Sequence, residues 1–241
     1  MIVTGASRGI GAAIALAAAP TYDVGLSYAD RSADAEAVAL DARALGAATR
    51  VVRADLGVAD DVLGLFAAAD ELGRLDVLVN NAGIAGGYGT HDTVTAPMLE
   101  RLWAVNITGP FLCAREAAAR MRTDRGGRGG SIVNISSKAA VLGGSGEWVH
   151  YAASKGAIDT MTVGLAKELA TVGVRVNGVR PGLIESDFHL HAPPGRVERM
   201  APSIPMQRSG SPEEVAAAVL WLAGPAAGYV TGAFIDVTGG R

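Results

Sequence analysis

Short β-branched runs alternate along the chain with longer Ala-rich stretches. Ile2–Val3 is a strand stub, and Gly9 to Ala19 reads as a helix ended by Pro20. Val24–Tyr28 predicts a strand, Ala33–Leu45 a helix closed by Gly46, and Arg50–Ala54 a third strand. Val62, Leu65, Phe66 and Ala69 recur at helical spacing, so that stretch buries one face. The apolar run Leu75–Asn80 suits a central strand covered on both sides. The second half repeats the theme. Met98–Met121 predicts a long helix broken near Gly109–Pro110, Ser131–Ile135 a strand, Tyr151–Thr171 a helix and Val174–Val179 a strand. Ser211–Ala223 predicts a helix opened by a capping box, since Glu214 follows Ser211 by three positions. Phe234–Val237 is the last strand.

Strand and helix alternating in this way imply parallel pairing through right-handed crossovers. The expectation is an α/β fold: a doubly wound parallel sheet of about seven strands with helices on both faces. No composition break divides residues 1–241, so one domain is expected. Hydrophobic residues make up 49% and charged residues 19%, which excludes wholesale disorder. Lys plus Arg number 21 against 24 Asp plus Glu, a net charge of −3 that lacks the excess of a dedicated nucleic-acid binder. No apolar run is long enough to span a membrane. The single Cys cannot close an intrachain disulfide, and a cytoplasmic location is expected.

The first strand runs into Thr4-Gly5-Ala6-Ser7-Arg8-Gly9-Ile10-Gly11. Glycines here let the backbone approach a pyrophosphate, while the following helix points N–H groups and its positive dipole end at the phosphates. Further motifs follow in order: Asn80-Asn81-Ala82-Gly83, Asn106, Ser136-Ser137, Tyr151-Ala-Ala-Ser-Lys155 and Pro181-Gly182. In this set and spacing the whole chain resembles the classical short-chain dehydrogenase/reductase family. The neighbourhood VHYAASKGAID resembles glucose 1-dehydrogenase-type and acyl-carrier-protein ketoreductase-type members. The resemblance implies a Rossmann-type fold and interconversion of a carbonyl and a secondary alcohol by hydride transfer. A silent cofactor-binding regulator, or an epimerase or dehydratase on the same site, are the competing readings.

Tyr151 and Lys155 are four apart and share one face of a helix. A free Tyr titrates near ~10, and a nearby ammonium is expected to lower that value. The resemblance makes Tyr151 the general acid/base, gives Lys155 the nicotinamide ribose, and sets Ser137 on the substrate oxygen. It gives Asn106 a water that relays protons from Lys155. Asn106 could equally satisfy backbone groups at a helix kink, and both readings stay open. Ser137 precedes Tyr151 by fourteen residues, one more than is common in the family. The extra residue is placed in Gly143-Gly144-Ser145-Gly146, and Ser137 is preferred to Ser136, whose side chain should face away. Few residues precede Thr4, so either the central strand is short or residues precede Met1 in the natural protein.

The resemblance also assigns the cofactor contacts. They are Gly5, Ser7, Arg8, Gly9, Ile10, Gly11, Asn81, Ala82, Gly83, Tyr151, Lys155, Pro181, Gly182, Ile184 and Ser186, with Asp55 and Leu56 on the adenine. Asp55 could instead cap the next turn. NAD-preferring enzymes carry an acidic residue at the end of the second strand, where this chain has Tyr28. Arg8 and Arg31 could pair with a 2′-phosphate, so NADP(H) is favoured, with NAD(H) open through Asp30. No metal is expected, because His189 and His191 lack a carboxylate at ligand spacing. Cys113 reads as a core residue, Arg125–Arg128 as a solvated turn, and Trp148 as a pocket wall or loop anchor. Residues 184–207 predict a mobile substrate lid. Leu112, Ala117, Ala118, Met121, Met161, Val163 and Leu165 make two helices apolar on more than one side, and with the resemblance this predicts a homotetramer. The expected partner is a small carbonyl or alcohol, with no nucleic acid and no membrane.

Overall fold

The computed structural model describes residues 1–188 and 192–241; the His189 and His191 expectation lies outside them. Seven parallel strands form one sheet: β1 (Ile2–Val3), β2 (Val24–Tyr28), β3 (Thr49–Arg53), β4 (Val77–Asn80), β5 (Gly130–Ile135), β6 (Val174–Pro181) and β7 (Phe234–Val237). Their order is β3-β2-β1-β4-β5-β6-β7. The order reverses between β1 and β4, and the crevice at the carboxyl ends of these strands is where a doubly wound sheet binds ligands.

Alternation along the strands feeds two separate cores. Val3, Leu26, Val79 and Val133 pack on one face against α1 (Gly9–Ala18), α2 (Ser32–Ala44) and α9 (Pro212–Ala223). Ile2, Leu78, Ile132 and Val176 pack on the other against α3 (Ala59–Ala69), α5 (Gly109–Met121) and α7 (Val149–Leu169). The stripe of α3 buries Val62, Leu65, Phe66 and Ala69, the four positions its periodicity marked. The capping box of α9 forms in both directions: Ser211 Oγ accepts from the Glu214 amide, and the Glu214 carboxylate accepts from the Ser211 amide. The central β1 is only two residues long, but Gly25 N–H donating to Met1 and Thr4 N–H donating to Val79 continue its bonding at both ends.

The expected break near Gly109–Pro110 does not occur. The chain runs from α4 (Ala96–Trp103) through a π turn at Ala104–Thr108 directly into α5. Pro110 is accommodated just after the π turn, where the i→i−4 ladder that a proline interrupts is already displaced. Gly109 is needed there: a Cβ would lie 2.5 Å from the Leu56 carbonyl oxygen. Two short helices, α6 (Ala139–Leu142) and α8 (Arg196–Met200), lie above the sheet's carboxyl edge, the second within the stretch 184–207 that reads as a long loop with some helix.

Candidate active site

At that edge opens a cleft of about 560 Å³. Every residue singled out for catalysis or cofactor contact lines it except Asn106, which sits fully buried behind the wall. The floor is the loop from β1 into α1. Gly5 and Gly9 have φ of 64° and 54°, a conformation that favours glycine. A Cβ on Gly11 would approach the Gly5 carbonyl oxygen to 2.3 Å. Asn81 Nδ2 donates to the carbonyls of Thr4 and Gly5, locking this loop to the end of β4. The first turn of α1 has no side-chain cap, so its N–H groups are left to a ligand or to solvent. Glycine where a Cβ would collide, open helix amides and two cations nearby fit a dinucleotide.

The catalytic candidates converge beside it. The start of α7 places Tyr151 and Lys155 on the cleft face, and Ser137, just past β5, lines the cleft beside Tyr151. Ser136 points the other way: it is buried and donates to the Lys155 carbonyl. Lys155 Nζ donates to the Ile135 carbonyl at 2.8 Å. Burial pushes the Lys155 ammonium down to about 8, opposed by Asp159. Burial pushes the Tyr151 phenol up to about 12, opposed by the Ser137 hydrogen bond. This corrects the expectation that Lys155 lowers the phenol: its nitrogen lies 5.7 Å from the ring centroid and is turned to a backbone carbonyl, so desolvation wins. Gly143, Gly144 and Gly146 all have positive φ and build the turn ahead of Tyr151.

Asn106 lies in the π turn. Its side chain donates to Ile84 O and Ser154 Oγ and accepts from the Ile84 amide. Its carboxamide thus satisfies backbone and hydroxyl groups, the more structural of its two readings. A Cβ at Gly83 would lie 3.3 Å from its oxygen and 3.5 Å from Lys155 Nζ, so this loop bridges the two. Asp55 does cap the next turn, accepting from the Gly57 amide, and it also pairs with Arg101 at 2.9 Å.

Several site neighbours carried no signal in the sequence. Phe188 packs its ring 5.2 Å from that of Tyr151 and 5.3 Å from that of Trp148, and Tyr88 meets Trp148 edge-on at 5.1 Å. Trp148 is itself buried and lines the cleft, so it is both wall and anchor. Arg196 stacks over it at 4.7 Å and pairs with Glu147 at 2.6 Å. Arg8 and Arg31 both reach Asp187. The expected lid is held at both ends: Ile184 bridges to Gly210, Ile204 is buried, and the Met206 amide donates to Gly239. Among the described residues, no group of His, Cys, Asp and Glu could hold a metal ion, and no helix is long and apolar enough to cross a membrane.

Residues 5–241 match a family model described as enoyl-(acyl carrier protein) reductase. The chain is 48% identical to an uncharacterized oxidoreductase, YgfF, of Escherichia coli K12, covering 100% of this chain and 98% of that one. It is 42% identical to a 3-oxoacyl-[acyl-carrier-protein] reductase of Synechocystis, over 99% of this chain and 95% of that one. A Burkholderia cenocepacia short chain dehydrogenase, solved in complex with NADP, superposes with a TM-score of 0.91 at 32% identity, covering 99% of this chain and 96% of that one. Fold, motif order and relatives agree along the whole length, and the chain belongs to the classical short-chain dehydrogenase/reductase family of oxidoreductases.

Proposed function

We propose that this protein reduces a small carbonyl compound to a secondary alcohol, and catalyses the reverse reaction, with NADP(H) as cofactor. The observation that carries the reading is the meeting of the Ser137 and Tyr151 hydroxyls beside buried Lys155, at the edge of the glycine-floored cleft. Bound NADPH supplies the hydride. Tyr151 supplies the proton: a phenol held at about 12 is fully protonated at neutral pH, the form that reduction needs. Ser137 donates to the same substrate oxygen and keeps it within reach. Lys155, its ammonium fixed by the Ile135 carbonyl, holds the nicotinamide ribose. Asn106 fixes the Gly83–Ile84 loop beside Lys155.

NADP(H) is supported by Arg8 and Arg31 on one side of the cleft and by Tyr28, not a carboxylate, at the end of β2. The solved Burkholderia relative carries NADP. NAD(H) remains the alternative through Asp30, which also lines the cleft. The test is NADPH oxidation with a panel of ketones, aldehydes, 3-oxoacyl thioesters and enoyl thioesters. Turnover confined to the carbonyl substrates supports the reading. Turnover of enoyl thioesters alone supports the chemistry in the family model's description instead.

A further inference from the structure

Arg8 and Arg31 sit at the N-terminal ends of α1 and α2. Both are nearly half exposed, so no core packing fixes them. Both nevertheless converge on one atom. Asp187 Oδ2 lies 2.6 Å from Arg8 Nη1 and 3.5 Å from Arg31 Nη1. Arg31 Nη1 also reaches Asp34 at 3.3 Å. Asp187 is 179 residues from Arg8 in sequence and comes from the segment after β6, across the cleft. A carboxylate oxygen held by two guanidiniums presents the chemistry of a phosphate oxygen held by the same pair.

We propose that Asp187 is a specificity-determining residue of the cofactor site, competing with a 2′-phosphate for Arg8 and Arg31. The inference rests on the NADP(H) reading above. A phosphate monoester brings up to two charges and three strong acceptor oxygens against one carboxylate, so it displaces Asp187 and takes the arginines. NAD(H) has no such group and leaves both ion pairs intact. Asp187 therefore narrows the preference for NADP(H) over NAD(H). The aspartate is a built-in discount on the phosphate contact, not a catalytic group. Exposed ion pairs are weak, so its removal should change the preference by about three- to fivefold.

Binding of 2′,5′-ADP and of 5′-AMP to wild type, Asp187→Asn and Asp187→Ser, measured by calorimetry, isolates the effect. The two ligands differ only in the 2′-phosphate. The Asp187 side chain is partly exposed and lies outside the core, so both variants should unfold at the wild-type temperature. The expected result is 2′,5′-ADP binding about three- to fivefold tighter in both variants, with 5′-AMP changed less than about twofold. Wild type favouring 2′,5′-ADP with no change in either variant overturns the role of Asp187 and leaves the cofactor reading standing. An equal gain for both ligands also overturns it, since Asp187 would then be a general barrier. Equal affinity for both ligands in wild type and both variants overturns the NADP(H) reading itself.

Discussion

Ser136 and Ser137 are neighbours in sequence with opposite surroundings, because successive side chains leave a strand on opposite sides. Ser137→Ala removes the hydroxyl beside Tyr151 and should lower kcat by at least about 100-fold, on the scale of general acid–base contributions. Ser136→Ala loses only a donor to the Lys155 carbonyl and should stay within about tenfold, so steady-state kinetics of the pair checks which serine serves the substrate. Lys155 gives a second prediction at this scale. Its folded value of about 8 lies below that of an unfolded Lys, near ~10.4, so between these values the unfolded chain binds more protons and wild-type stability rises with pH. Lys155→Met shares the other titrating groups and lacks this gain. Urea unfolding at pH 7.5 and 10 should show wild type improving relative to the variant by about 2 kcal/mol. A constant difference would mean that burial leaves the ammonium unperturbed.

The elements were legible where pattern and chemistry agree. The α3 stripe, the α9 capping box and the run of β4 all stand within a residue or two of their expected positions. The π turn was not legible, because Gly109–Pro110 looks the same whether it ends a helix or begins its next segment. The motif-bearing side of the site was readable for the same reason, since glycine spacing reports backbone needs directly. The partners of those motifs were not. Asp187 meets Arg8, Phe188 meets Tyr151 and Arg101 meets Asp55 only after the sheet brings distant segments together. Two glycines test this view of the elements. Gly11→Ala puts a methyl against the Gly5 carbonyl and should abolish NADPH binding, with a fall in melting temperature. Gly64→Ala, in mid-α3 with open space around it, should stabilise by roughly 0.5–1 kcal/mol. Thermal unfolding and NADPH titration of the two variants would separate a loop that needs glycine from a helix that merely tolerates it.

At the scale of the whole molecule, the expected tetramer rests, Val163 apart, on different residues from those that first suggested it. Ala117, Ala118 and Met121 are buried in the protein's own core. The apolar side chains left outward on α4, α5 and α7 are Trp103, Phe111, Val149 and Val163. A second outward pair, Trp221 on α9 and Tyr229 just ahead of β7, marks another face. Two such faces, each meeting its own copy about a twofold axis, build a tetramer. Light scattering at micromolar concentration should give a tetramer for wild type and a dimer for Phe111→Glu/Val163→Glu. A wild-type monomer would remove the assembly claim without touching the chemistry.

The proposed chemistry stands on the Tyr151 hydroxyl. Tyr151→Phe keeps the ring that packs against Phe188 and removes only the proton donor. The decisive measurement is turnover of the best carbonyl substrate by wild type and this variant, beside NADPH affinity for each. The account predicts kcat lower by about 10²–10⁴-fold with NADPH affinity within about twofold of wild type. Near-normal turnover in Tyr151→Phe would contradict it.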